Sequence, residues 1–219
     1  MRVHREVLPG AQQAVLGELG PGADRLGFYL GGGTAVALRT GHRRSVDLDW
    51  FTERAIADPL HLASELRRSG LPCEVESVDK GTLHATVRGI RVSFLEFPYS
   101  SLRDPERIDE LGCRLAAEED LVCMKLAALA GRGAKKDFID VYALGRSGFS
   151  LGEMLKLYQS KFETLDVGHV IMSLTYFDDA RLEPMPEMLW DLEWDDVERE
   201  IEAWVLEYES SGADAPGAS

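Results

Sequence analysis

Apolar residues recur at helical spacing from the start of the chain, with Val7, Leu8, Ala11, Val15, Leu16 and Leu19 on one face, and the pattern breaks at Gly20-Pro21-Gly22. Residues 26–30 then form a short apolar run that fits a buried strand. Gly31-Gly32-Gly33-Thr34 follows, and then a good helix former, Ala35-Val36-Ala37-Leu38-Arg39. The order is strand, glycine turn, helix. Strand character returns at 45–51, and 59–69 reads as a helix ended by Gly70. Three more strands are predicted at 73–78, 83–87 and 90–97, with Asp79-Lys80-Gly81 and Arg88-Gly89 as the turns between them. From Ala116 the pattern is almost wholly helical, in segments 118–130, 135–144, 151–162, 167–177 and 189–208. The expected fold class is therefore α/β (α+β): a core over 1–112, a helical region over 113–209, and a Gly/Ala/Ser-rich tail over 210–219 that reads as disordered.

Composition narrows this only a little. The chain has 219 residues, 45% hydrophobic and 28% charged, enough to bury a core in one domain with a helical appendage. No window approaches the roughly 18 apolar residues of a membrane span. Residues 1–6 turn polar too early for a signal peptide, and Cys73, Cys113 and Cys123 lack the spacing of a disulfide framework or zinc cluster. A reducing cytoplasm is the expected setting. The net charge of −14 argues against a nonspecific nucleic-acid coat, although it leaves room for a local basic cleft. The acidity is densest over 191–209, which reads as a solvated helix surface.

The chemistry is concentrated between Gly31 and Phe51. Asp47 and Asp49, one residue apart in a strand, leave the same face. Such a pair is either a solvated edge or a seat for a hard cation, and Mg²⁺ takes one or two carboxylates plus substrate phosphates. The glycine turn upstream favours the second, because glycines let a phosphate approach and a helix N-terminus offers free N–H groups. No Walker A lysine follows, so this is a different phosphate cradle. Glu96 interrupts the apolar strand 90–97, either as a third metal ligand or as a strand-end surface residue. Lys125 sits in the apolar run 121–129 and either snorkels or faces an anion. Arg132, Lys135 and Lys136 precede Asp137-Phe138-Ile139-Asp140 as the most basic stretch, a triphosphate or RNA contact if it is not a solvated loop. No HExxH and no GxSxG is present.

Two blocks together carry a family resemblance. Gly32-Gly33-Thr34-Ala35-x-x-Leu38, His42-Arg43-x-Ser45-x-Asp47-x-Asp49-x-Phe51, and the later Met124-Lys125-Leu126-x-Ala128-Leu129, Arg132 and Lys136-Asp137-Phe138-x-Asp140 resemble the AbiEii-like abortive-infection toxins, within the DNA-polymerase-β-type nucleotidyltransferases. The resemblance implies a nucleotidyltransferase fold, a small mixed or antiparallel sheet followed by helices. It implies that Gly32, Gly33 and Thr34 hold the phosphates of an NTP, with Arg43, Ser45 and Lys125 as further nucleotide-binding residues. Asp47 and Asp49 would bind two Mg²⁺, with Glu96 as a candidate third ligand, and Arg44 is a possible alternative to Arg43. Asp137 would be the downstream essential acid, with Asp140 the less favoured choice. The implied activity is Mg-dependent transfer of NMP to tRNA or a protein hydroxyl, as the toxin of a pair with a cognate antitoxin. The alternatives are transfer to a small molecule such as an aminoglycoside, and a non-catalytic nucleotide-binding module of the same fold.

Overall fold

Among residues 2–68 and 70–212, those described by the computed structural model, the middle of the molecule is a mixed seven-stranded sheet. In chain order the elements are α1 (Gly10–Arg25), β1 (Tyr29–Leu30), α2 (Gly32–Thr40), β2 (Leu48–Thr52), α3 (Pro59–Arg68), β3 (Cys73–Asp79), β4 (Thr82–Val87), β5 (Ile90–Glu96), β6 (Glu106–Ile108) and β7 (Cys113–Leu115). The helices α4 (Glu118–Arg132), α5 (Lys135–Arg146), α6 (Leu151–Phe162), α7 (Gly168–Leu174), α8 (Asp178–Leu182) and α9 (Trp194–Gly212) follow. The strand order is β3-β4-β5-β2-β1-β7-β6. β3, β4 and β5 form an antiparallel meander, β5 runs parallel to β2, and β1 is antiparallel to β2.

Strand alternation fixes two faces. Leu48 and Trp50 of β2, and Val92 and Phe94 of β5, are buried against the core, as are Leu83, Ala85 and Val87 of β4. The polar partners between them occupy the other face, including Asp49, Ser93 and His84.

The structure departs from the sequence expectation in four places. First, α1 runs straight through Pro21 to Arg25. Its cost is met by packing: a Cβ on Gly20 would lie 3.0 Å from the Leu111 carbonyl oxygen, so α1 sits directly on the β6–β7 hairpin. Second, β6 and β7 carry no apolar run long enough to announce them, yet β7 pairs in parallel with β1. The sheet therefore continues past residue 112, and a boundary at 112/113 would cut it. Third, residues 167–177 hold only the short α7, and α8 follows as a separate turn of helix. Fourth, the last helix begins at Trp194 and reaches Gly212, so the expected tail is helical over 210–212; residues 213–219 lie outside those described. The three cysteines are buried free thiols, and no described helix is long and apolar enough to cross a membrane.

Candidate active site

The turn between β1 and α2 is built by what its residues lack. A Cβ on Gly31 would come 2.5 Å from the Phe51 ring, and one on Gly32, whose φ is +62°, would come 2.9 Å from Asp49 Oδ2. Only glycine fits both positions. The Gly31 N–H donates to the Asp49 carbonyl at 2.9 Å, tying the turn to β2. The first intrahelical bond of α2 is Ala35 N–H to Gly31 O, which leaves the N–H groups of Gly32, Gly33 and Thr34 as the free donors of a helix N-terminus.

Asp47, just before β2, and Asp49, within it, border the same cleft as this turn. Asp47 takes both Arg91 Nε and Nη2 on Oδ1 at 2.9 Å, whereas Asp49 has no ion-pair partner among the described residues. The Thr34 hydroxyl donates to the Asp47 carbonyl and meets Ser45 Oγ at 2.6 Å. That corrects the expected role of both hydroxyls: they clasp the carboxylate strand to the glycine turn, and Thr34 can offer an anion only its backbone N–H. Glu96 is also corrected as a metal ligand. The β2–β5 register pairs Glu96 with Thr52, on the face opposite Asp49, and its Oε2 accepts from the Ile56 N–H at 3.0 Å. The residue beside Asp49 on the cleft face is Ser93.

Behind the glycine turn lies a buried knot of charge. Lys125 Nζ contacts Asp137 Oδ1 at 3.1 Å and Asp140 Oδ2 at 2.7 Å. Arg43 grips Asp140 with Nε at 2.8 Å and Nη2 at 2.9 Å, and Arg132 grips Asp137 with Nε at 2.7 Å and Nη2 at 3.0 Å. His42 completes it, with Nε2 at 2.8 Å from Asp140 Oδ1. Burial would raise the Asp140 carboxyl, but Arg43, Lys125 and His42 outweigh it and hold it well below the usual carboxylate range. Asp137 is likewise held low, with Arg132 and Lys125 overcoming its burial. Burial depresses His42 despite Asp140, keeping its imidazole neutral. The buried members thus pair Lys125 and Arg43 with two carboxylates, and the third basic side chain, Arg132, is exposed at the cleft. The knot touches the turn through Gly33, where a Cβ would stand 2.5 Å from Arg43 Nη2 and 3.5 Å from Lys125 Nζ.

The structure thus brings Gly32, Gly33, Thr34, Arg43, Ser45, Asp47, Asp49 and Lys125 to one cleft of about 630 Å³. Asp137 and Asp140 both sit behind it, fully buried; Asp140, the less favoured in sequence, gathers more partners than Asp137. His42 stood in the family-like block but was given no role in the site, because its partner is 98 residues away. Arg132 and Lys136 also line the cleft, and Phe51, Leu95, Phe97 and Met124 give it an apolar wall. The segment 186–189 closes one side: Arg44 N–H donates to the Glu187 carbonyl, and Leu189 N–H to that of His42.

The donor set fits a hard divalent cation that shares its shell with phosphate. Asp47 and Asp49 supply two carboxylates, and no group of three or more His, Cys, Asp or Glu suited to a metal occurs among the described residues. A cation here therefore depends on oxygens from a ligand, as Mg²⁺ does with nucleotide phosphates.

Comparison with known proteins places this arrangement. No family model matches the chain. An uncharacterized protein of Aquifex aeolicus (strain VF5), aq_aa25, is 39% identical over 187 residues, spanning 83% of this chain and 87% of its own length. Among solved structures, a putative nucleotidyltransferase from H. pylori superposes with a TM-score of 0.55 at 15% identity, covering 95% of this chain and 94% of its own. JHP933 from Helicobacter pylori gives 0.55 at 16%, over 96% and 95%. The antibiotic-resistance factor ANT(2'')-Ia gives 0.52 at 13%, over 73% and 97%. The fold is that of the nucleotidyltransferases.

Proposed function

Because the chain belongs to the same family as the uncharacterized Aquifex aeolicus protein aq_aa25, whose name carries no activity, we propose its function from the site itself: transfer of an NMP from an NTP to an acceptor hydroxyl. One observation carries the proposal. Free helix N-terminal donors, two cleft-facing carboxylates and a cluster of basic side chains, Arg43, Lys125, Arg132 and Lys136, converge within one cleft. A triphosphate satisfies all three at once.

The residues divide the work. The N–H groups of Gly32, Gly33 and Thr34 bind phosphate oxygens, aided by the dipole of α2. Lys125 and Arg43, clamped by Asp137 and Asp140, are oriented before substrate arrives and lose no freedom on binding, which is how phosphoryl transfer is accelerated by positioning and charge. Arg132 and Lys136 add charge at the rim. Asp47 and Asp49 would hold Mg²⁺, which supplies charge neutralisation for the α-phosphate and the departing pyrophosphate. The apolar wall gives a nucleobase or acceptor a surface to lie on.

The two-block residue pattern supports the finer assignment, a toxin of the abortive-infection type acting on tRNA or a protein hydroxyl beside an antitoxin. The net charge of −14 favours a different acceptor, a cationic small molecule, and the fold shared with an antibiotic-resistance factor is compatible with it. One experiment separates them. The protein is incubated with each labelled NTP, with MgCl₂ or EDTA, against total tRNA, a cell lysate or kanamycin. Magnesium-dependent label in the tRNA or protein fraction supports the toxin assignment, and label on kanamycin replaces it. No labelling in any arm rejects nucleotidyl transfer.

A further inference from the structure

Enzymes that activate an acceptor hydroxyl need a proton acceptor on the side from which that hydroxyl attacks. Displacement at phosphorus is in line, so the acceptor enters opposite the departing pyrophosphate. The sheet order locates that side. β2, which carries Asp49, has β1 and its glycine turn on one flank, and β5 then β4 on the other. With the phosphates seated on the turn, the acceptor comes over β5 and β4.

The residue facing it there is a histidine. The registers align Asp49 of β2 with Ser93 of β5, and Ser93 with His84 of β4, in one row across the cleft face. His84 and Ser93 both border the cleft, and His84 Nδ1 lies 3.2 Å from Ser93 Oγ. No carboxylate completes this row, because Glu96 is on the other face.

We propose that His84 is the general base of the transfer, and that Ser93 is its positioning residue; this rests on the nucleotidyltransferase function proposed above. With Nδ1–H donating to Ser93 Oγ, Nε2 keeps its lone pair. It takes the proton of the acceptor hydroxyl as that oxygen forms its bond to the α-phosphorus. The bond from the α-phosphorus to the bridging oxygen breaks, and pyrophosphate leaves with the electron pair. His84 is exposed and returns the proton to solvent.

The test uses whichever acceptor the wild-type protein labels, with its preferred NTP. His84→Ala is expected to lower the transfer rate by about 10²-fold or more, the usual worth of a general base. Added imidazole restores part of that rate, which it does not do for a residue with a purely structural part. Calorimetric binding of the magnesium NTP stays within about twofold of wild type, because the base touches the acceptor side only. Ser93→Ala is expected to cost less than His84→Ala and to gain nothing from imidazole. A His84→Ala variant that transfers at the wild-type rate overturns the base while leaving the function standing. So does one that is slow, fails to respond to imidazole and has lost NTP binding. Absence of transfer by the wild type overturns the function and the base together.

Discussion

Two buried lysines, Lys125 and Lys161, both meet carboxylates and differ in what surrounds them. Lys161 on α6 meets Asp120 of α4 at 2.6 Å, donates to the Ser100 carbonyl at 3.1 Å and lies 5.2 Å from the Phe97 ring centre. Asp120 also accepts the N–H groups of Leu102 and Arg103. That site is balanced: one cation and one carboxylate, whose two oxygens also pin the loop before β6. Lys125, on α4 like Asp120, belongs to a cluster that opens on the cleft, where the exposed Arg132 joins it. A buried pair closed off by its own hydrogen bonds holds a fold together, whereas a charge cluster that opens on a cleft lined by further basic groups can meet an anion.

The largest effect is expected where the carboxylates meet the ligand. Asp49→Asn should reduce nucleotide transfer by about 10³-fold or more, the equivalent of several kcal/mol of transition-state stabilisation, with an unchanged melting curve. Labelled-NTP transfer and circular dichroism measure the two.

The lysines give the sharper contrast. Lys125→Met should cut transfer by about 10²–10³-fold, as loss of a preorganised charge does. Lys161→Met should leave transfer per folded molecule unchanged and lower the unfolding free energy by about 3–5 kcal/mol in urea, the cost of stranding Asp120. Equal loss of activity in both variants would erase the distinction between the two sites.

Acid should act on the knot in a defined direction. Asp140 has its folded pKa depressed, so its contribution to stability is complete above the unfolded carboxylate value of about 3.9 and is lost as pH falls below that toward the folded value. Asp140→Asn should therefore be less stable than wild type at neutral pH, and the gap should close below about pH 4. Urea titrations across pH 2–7 would show it.

Glu96→Gln is expected to do least: transfer within about twofold of wild type, and a stability change within the ordinary range for a single surface-side substitution, about 1 kcal/mol. A large loss of magnesium-dependent activity would return Glu96 to the site.

What the sequence made legible followed from local rules. The meander β3–β5 was visible through its strand-like runs and glycine turns, and α6 as a helical segment with the bounds the structure gives it. The glycine turn and Asp47-x-Asp49 were visible because their spacing is short. Facing across strands was not. Glu96 and Ser93 trade places only once β5 is aligned with β2, and a register is not written in either strand alone. For the same reason His84, polar between the buried Leu83 and Ala85, gave no sign that Ser93 and the cleft lay beside it. The Arg43–Asp140 contact spans 97 residues, so Asp140 could not be preferred over Asp137. The short β7 reveals itself only by pairing with β1.

The most direct test is calorimetric titration of ATP, GTP, CTP and UTP, each with and without MgCl₂, into the wild-type protein, Gly33→Ala and Lys161→Met. The expected result is magnesium-dependent binding of at least one NTP, retained by folded Lys161→Met and weakened at least tenfold in Gly33→Ala, whose added methyl collides with Arg43 where the phosphates would sit. Failure of every NTP to bind, or equal affinity in Gly33→Ala and wild type, would contradict the claim that the glycine turn and its buried charge form a triphosphate seat.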